Sequence, residues 1–230
     1  MKDLNVLIVT TSHDALGNTG EKTGVWLEEL AAPYYKFIDE GATITIASPK
    51  GGIVPLDPTS KLDDWQTEYT KKFNDDTTAL DAIKNAKKIT DINPSNFDVL
   101  FFPGGHGPMW DLANNTDVAN VINDFNKEDK PIGLVCHGVA ALKGVTLENG
   151  APFVKGRRLT SFTNTEEAAV QLTEIVPFLL ETELTNEGAI YRRGDDWSEF
   201  VIEDGNLITG QNPQSSVMAA QKTLEALKVK

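Results

Sequence analysis

Apolar positions along the chain alternate between two spacings. The run NVLIVTT (5–11) is short, β-branched and almost wholly apolar, the pattern of a strand buried on both faces. From Thr23 the period changes: Trp26, Leu27, Leu30, Tyr34, Phe37 and Ile38 recur at helical spacing, Gly41 supplies a stop, and Pro33 predicts a kink or a break. TITIASP (43–49) is a second strand ending in the turn-forming PKGG. Residues 57–76 are polar with scattered aromatics, and a helix is predicted from Thr77, so residues 52–92 read as an excursion outside the core alternation. FDVLFFPGGHG gives a third buried strand, DVANVINDFNKED a helix from Asp117, and PIGLVCHG a fourth strand.

Strands joined by segments too long for hairpins predict a parallel sheet with helices on both faces. The last third is less regular. GRRLTSF reads as a strand, 166–184 as mostly helix interrupted at Pro177, EFVIEDGNLITG as a hairpin turning at EDGN, and SSVMAAQKTLEALKV as a closing amphipathic helix. No repeat or linker divides the chain, so residues 1–230 are expected to form one domain.

Composition narrows the function. A formal net charge of -13, with 21 Lys and Arg scattered rather than gathered, argues against a nucleic-acid partner. No apolar run approaches membrane-span length, no secretory signal opens the sequence, and the lone cysteine cannot form an internal bridge; a cytoplasmic protein is expected.

In a parallel sheet the reactive groups collect beyond the C-terminal ends of the strands. Cys136, between the strand IGLV and a turn containing Gly138, fits either an inert core thiol or a nucleophile presented on an elbow; His137 beside it and nearby helix N–H groups favour an acidic, reactive sulfur. In PGGHG the glycines Gly104 and Gly105 let the backbone approach a ligand, and the N–H groups of Gly105 and His137 are candidates for an oxyanion hole, with His106 and Trp110 in the adjoining pocket. Glu29 sits at the margin of the apolar stripe of its helix, unlike Glu28, so partial burial would raise its pKa and suit it to carry a proton. His13, His106 and His137 lack metal-ligand spacing and no phosphate-binding fingerprint occurs, so neither metal nor cofactor is expected.

The segments KTGVWLEELAAPYY, ASPKGG, FFPGGHGPMWDL, VCHG, SFTNTEE and DGNLITGQNPQSS, in that order, resemble the PfpI-like superfamily. Within it the chain is most similar to the heat-shock-protein-31-like branch of glutathione-independent glyoxalases (glyoxalase III), also described as chaperones and deglycases. The resemblance implies a flavodoxin-like α/β fold of the class I glutamine amidotransferase type. It implies Cys136 as nucleophile, His137 as its base, Glu167 rather than neighbouring Glu166 as the third triad member, Glu29 as the buried glutamate against the sulfur, and Gly105 in the oxyanion hole. The expected reaction takes a small-molecule 2-oxoaldehyde, methylglyoxal above all, to a 2-hydroxy acid. Amidase, peptidase or deglycase chemistry on the same site, and a holdase or redox-stress role, are the alternatives. The branch also implies a homodimer and, for its chaperone role, unfolded client proteins. Leu134 and Val139 depart from the branch, which has a small residue and often a proline there, and this bears on how the elbow packs.

Overall fold

The computed structural model describes residues 4–228. In chain order the elements are β1 (Asn5–Val9), α1 (Leu27–Asp39), β2 (Thr43–Ser48), α2 (Glu68–Asp75), α3 (Thr77–Lys84), β3 (Lys87–Lys88), β4 (Val99–Phe102), α4 (Pro108–Asp111), α5 (Thr116–Lys127) and β5 (Ile132–Val135). A seven-residue 3₁₀ segment follows at Cys136–Leu142. Then come β6 (Arg158–Leu159), α6 (Asn164–Ala169), α7 (Leu180–Asn186), β7 (Ile190–Tyr191), β8 (Val201–Asp204), β9 (Leu207–Gly210) and α8 (Ser216–Lys228).

Among the described residues the main sheet runs β3-β2-β1-β4-β5-β9-β8, parallel except for β8, which pairs antiparallel with β9 as the predicted hairpin. This is the flavodoxin-like architecture expected. The apolar runs are continuous because both faces are covered: Val6 and Ile8 pack with α1 and α8, while Leu7 and Val9 pack with α5. From β1 the chain crosses first to β2 and later to β4 on the other side, so a crevice opens between the C-terminal ends of β1 and β4. No helix among the described residues is long and apolar enough to cross a membrane.

Five sequence expectations need correction. Helix α1 begins at Leu27, because residues 23–26 are extended: Val25 donates its N–H to Pro55 O and accepts from Asp57 N–H. It also runs through Pro33 as one element and closes at Gly41, whose φ of 80° allows Gly41 N–H to reach Ile38 O and Ala42 N–H to reach Phe37 O. The excursion is more ordered than its polarity suggests. Thr67 caps α2, and Lys87–Lys88 joins β2 as the edge of the main sheet. GRRLTSF shrinks to the two residues of β6, and the helix expected over 166–184 divides into α6 and α7 with turns between, where Pro177 has no N–H for a helix interior.

Candidate active site

Cys136 is the first residue after β5, and its φ of 57° is the sharp backbone of a nucleophile elbow. Such a conformation costs a non-glycine residue on the order of 1–3 kcal/mol and persists only where the surroundings enforce it. Here Gly138 lets the chain turn directly over β4: a Cβ at that position would collide with the carbonyl oxygen of Phe102. Leu134 and Val139, the departures from the expected pattern, are both fully buried in the core and line no part of the cavity.

Cys136 is 3 % exposed and forms part of the floor of a cavity of about 290 Å³, together with Glu29, Gly105, His106 and His137. Its walls are largely apolar, with Trp26, Trp65, Phe162 and Trp197 among them and Glu21, Lys22, Asp57 and Thr59 as polar exceptions. Trp26 and Trp65 meet edge to face at 5.1 Å, and Phe162 lies 4.4 Å from the His137 ring. The aromatic contributions of Trp65, Phe162 and Trp197 carried no local signal in the sequence, since they come from segments remote from either glycine loop.

Glu29 is placed by a reciprocal clamp. Trp26 N–H donates to Gly104 O at 3.1 Å, and Gly104 N–H donates to Glu29 Oε2 at 2.8 Å. Position 104 must be glycine, because a Cβ would stand 2.5 Å from that carboxylate oxygen and 2.8 Å from the His137 nitrogen. Glu29 is therefore fully buried, beyond the partial burial expected. Its Oε1 has no hydrogen-bond partner among the described residues, and the carboxyl shares the cavity floor with the Cys136 thiol, the side chain that most offsets its burial. Burial pushes this carboxyl up to about 8, with the bonds from Cys136 and Gly104 offsetting only part of the cost. Glu28 is half-buried as well, capped by the Thr67 hydroxyl, and burial pushes it up to about 7.

The expectation of an acidic thiol is reversed. Burial pushes Cys136 upward, the carboxylates of Glu29 and Glu166 add to the effect, and the His137 N–H at the sulfur only partly counters them. The sulfur and Glu29 thus form a coupled pair in which ionisation of one opposes ionisation of the other.

The choice between Glu166 and Glu167 is made by the start of α6. Thr163 and Glu166 form a capping box, in which the Glu166 carboxylate accepts from the Thr163 N–H and hydroxyl, and it also accepts from Trp197 N–H, Gln211 Nε2 and Asn212 Nδ2. One position on, about 100° around the helix, Glu167 faces the histidines. His137 Nε2 donates to Glu167 Oε2 at 2.6 Å and His106 Nε2 to Oε1 at 2.8 Å, while His137 Nδ1 stands 3.5 Å from Cys136 Sγ. Burial raises the Glu167 carboxyl, but the two rings more than reverse this and hold it well below the usual carboxylate range. Burial, reinforced by His106, lowers His137 and keeps its imidazole neutral.

Gly105 N–H has no acceptor among the described residues and lines the cavity near His137. Gly104 stands behind the wall rather than in it. Trp110 is elsewhere: it stacks on His13 at 5.0 Å over a separate surface depression beside Glu174. It is drawn away because Asp111 beside it is tied to Thr11 and Ser12, which swings α4 toward the β1 loop. His106, His137 and Glu167 are also the one group among the described residues with metal-ligand chemistry, their ligand atoms lying within 4.8 Å of one another, a grouping invisible in sequence spacing. Both Nε2 atoms are already hydrogen-bonded to opposite oxygens of the carboxylate, so a metal would have to displace two bonds.

A model of the DJ-1/PfpI family matches residues 22–226, which include Glu29, Gly105, His106, Cys136, His137 and Glu167. The chain belongs to the DJ-1/PfpI family. Among relatives within it, glyoxalase 3 of Candida albicans is 29 % identical over 96 % of this chain and 97 % of its own, and the glutathione-independent glyoxalase HSP31 of Saccharomyces cerevisiae is 28 % identical over 97 % of each. Two solved structures superpose closely. The Francisella tularensis Rapid Encystment Protein 24 kDa gives a TM-score of 0.94 at 42 % identity, covering 97 % of this chain and 99 % of that one. Glyoxalase III from Candida albicans gives 0.92 at 30 % identity, covering 99 % and 98 %.

Proposed function

We propose that this DJ-1/PfpI protein is a glutathione-independent glyoxalase that converts 2-oxoaldehydes to 2-hydroxy acids, methylglyoxal to lactate, with Cys136 as nucleophile and no metal or organic cofactor. The observation that carries the reading is a buried carboxyl, Glu29, held against the sulfur of an elbow cysteine at the floor of a cavity. Similarity to glyoxalases along nearly the whole chain supports it.

Sulfur adds to the aldehyde carbon C1 as its proton passes to Glu29, and the Gly105 and His137 N–H groups receive the oxygen that becomes negative. Glu29 returns that proton to the oxygen, giving a hemithioacetal. It then takes the C1 hydrogen to form an enediolate and delivers it to C2, leaving a thioester that water hydrolyses to the acid and the free thiol. Electrons move only from C1 to C2 within the substrate, so no external oxidant or reductant enters. Amide or peptide hydrolysis would need the triad and the N–H donors alone. A fully buried glutamate beside the sulfur, which costs the fold stability, supplies the additional carrier that transfer of a carbon-bound proton requires.

The test is a panel of methylglyoxal, simple amides and glycated amines, assayed without glutathione. Lactate from methylglyoxal, undiminished by EDTA, is the expected result; faster release of ammonia or amine would replace this reading with a hydrolase or a deglycase.

The coupled pair also sets the pH dependence. Below about pH 8 Glu29 and Cys136 both hold their protons and neither can accept one; above it the pair carries the single charge that the first step consumes. kcat/KM for methylglyoxal is therefore expected to rise about tenfold per pH unit up to a bend near pH 8. A flat profile from pH 6 to 9 would contradict this assignment of the proton.

A further inference from the structure

We propose that His106 is a catalytic residue of this reaction, carrying a proton between the two substrate oxygens; the proposal rests on the glyoxalase reading above. The starting point is Glu167. A carboxylate only accepts hydrogen bonds, so both rings on its two oxygens place a hydrogen on Nε2, and in the neutral imidazole this leaves Nδ1 bare. For His137 that bare nitrogen faces Cys136 Sγ at 3.5 Å. For His106 it has no hydrogen-bond partner among the described residues, although the ring lines the cavity, is 13 % exposed, and packs 4.1 Å from the His137 ring. One carboxylate thus fixes two imidazoles in the same tautomer, one directed to the sulfur and one left to the substrate.

The chemistry needs a second base at that place. When Glu29 takes the C1 hydrogen, the enediolate has its negative charge on the C2 oxygen and a hydroxyl on C1. The thioester requires the reverse, a carbonyl at C1 and a hydroxyl at C2. The C1 O–H bond must break and a C2 O–H bond form, with no net gain or loss of protons. Nδ1 of His106 accepts the first proton and gives it to the second oxygen. The imidazolium formed in between rests on the ionised Glu167, as a general base is steadied by its acidic partner. His137 has its free nitrogen 3.5 Å from the sulfur, which is bonded to C1, and Glu29 is occupied with the proton on carbon.

The experiment compares wild type with His106→Gln, whose amide retains a donor to Glu167 but has nothing at the Nδ1 position, and with His106→Asn as a second variant should the first fail to fold. Three readings are taken: steady-state turnover of methylglyoxal, the rate of Cys136 alkylation by iodoacetamide, and intact mass during turnover. His106→Gln is expected to lose roughly 10²–10⁴-fold in kcat, to alkylate within about twofold of the wild-type rate, and to accumulate a covalent adduct of substrate mass on Cys136. Turnover within about threefold of wild type would overturn the proposal, and so would alkylation that slows in step with turnover, because His106 would then act only through Glu167 and His137. A wild-type protein that leaves 2-oxoaldehydes untouched fails differently, by removing the activity itself.

Discussion

Replacing Cys136 with alanine is expected to lower 2-oxoaldehyde turnover by about 10⁴–10⁶-fold, to the level of the reaction without a nucleophile. In the proposed reaction sulfur forms the bond that turns the aldehyde into a hemithioacetal, and the sequence holds no second cysteine to substitute for it. The fold should scarcely register the change. Alanine keeps the Cβ, removes one buried atom, and occupies the same positive-φ backbone, so a loss of about 1 kcal/mol or less is expected. Turnover and thermal unfolding of wild type and Cys136→Ala, measured together, separate chemistry from structure. Suppression of client aggregation, if the protein has it, should survive the substitution, because exposed apolar surface rather than the thiol would carry that role. Turnover that persists in Cys136→Ala would rule out the covalent mechanism.

Glu29→Gln is expected to raise stability while removing activity. The folded-state pKa of about 8 lies above the ordinary 4.5, so the native state holds a proton that the unfolded chain releases. For a raised carboxyl the favourable contribution is complete below pH 4.5 and is lost progressively as pH rises toward 8. By pH 7 the wild type is disadvantaged by about 3 kcal/mol relative to a neutral side chain of the same shape. Glutamine supplies that shape: its carbonyl accepts from Gly104 N–H and its amide faces the sulfur, but it cannot move a proton. The measurement is Tm across pH 5 to 9 beside turnover. The variant should match wild type at pH 5, unfold at a higher temperature by pH 8, and lose roughly 10²–10⁴-fold in turnover. Equal Tm at every pH, or undiminished turnover, would return Glu29 to a structural role.

These two results would show why the site is built at the expense of the fold. A strained cysteine, a buried carboxyl and an unpaired Gly105 N–H are each unfavourable alone, and they meet around one cavity. The reason is that the chemistry needs groups that bulk water would satisfy or screen. Glu29 shifts only because it is out of water, and it stays there because Gly104 and Trp26 clamp the start of α1 against the loop after β4.

Reading the sequence located much of this and missed parts for definite reasons. Short apolar runs and helical periodicity placed the strands of the sheet, because both depend on local spacing, and CHG and PGGHG marked the two loops of the site. Pro33 misled: a single missing N–H did not break a helix whose other residues bury against the sheet. Trp110 misled because adjacency to a glycine loop says nothing of where the next turn points, and its ring stacks on His13. The expectation of an acidic thiol failed because the helix-terminus argument is local, whereas burial, and after it the carboxyls contributed by α1 and α6, oppose ionisation.

What the sequence determined by itself is the frame: a doubly covered parallel sheet, a sharp turn that raises Cys136 at the end of β5, and a glycine loop after β4, all written in the spacing of neighbouring residues. The tertiary structure alone decided the proton inventory. It assigned Glu167 rather than Glu166 to the histidines, brought His106 onto the same carboxylate, and removed Glu29 from water. Spacing can fix the direction of a chain, but pKa values and tautomers follow from burial and from contacts between residues as far apart in sequence as 29 and 104 or 106 and 167, and these exist only once the sheet has assembled.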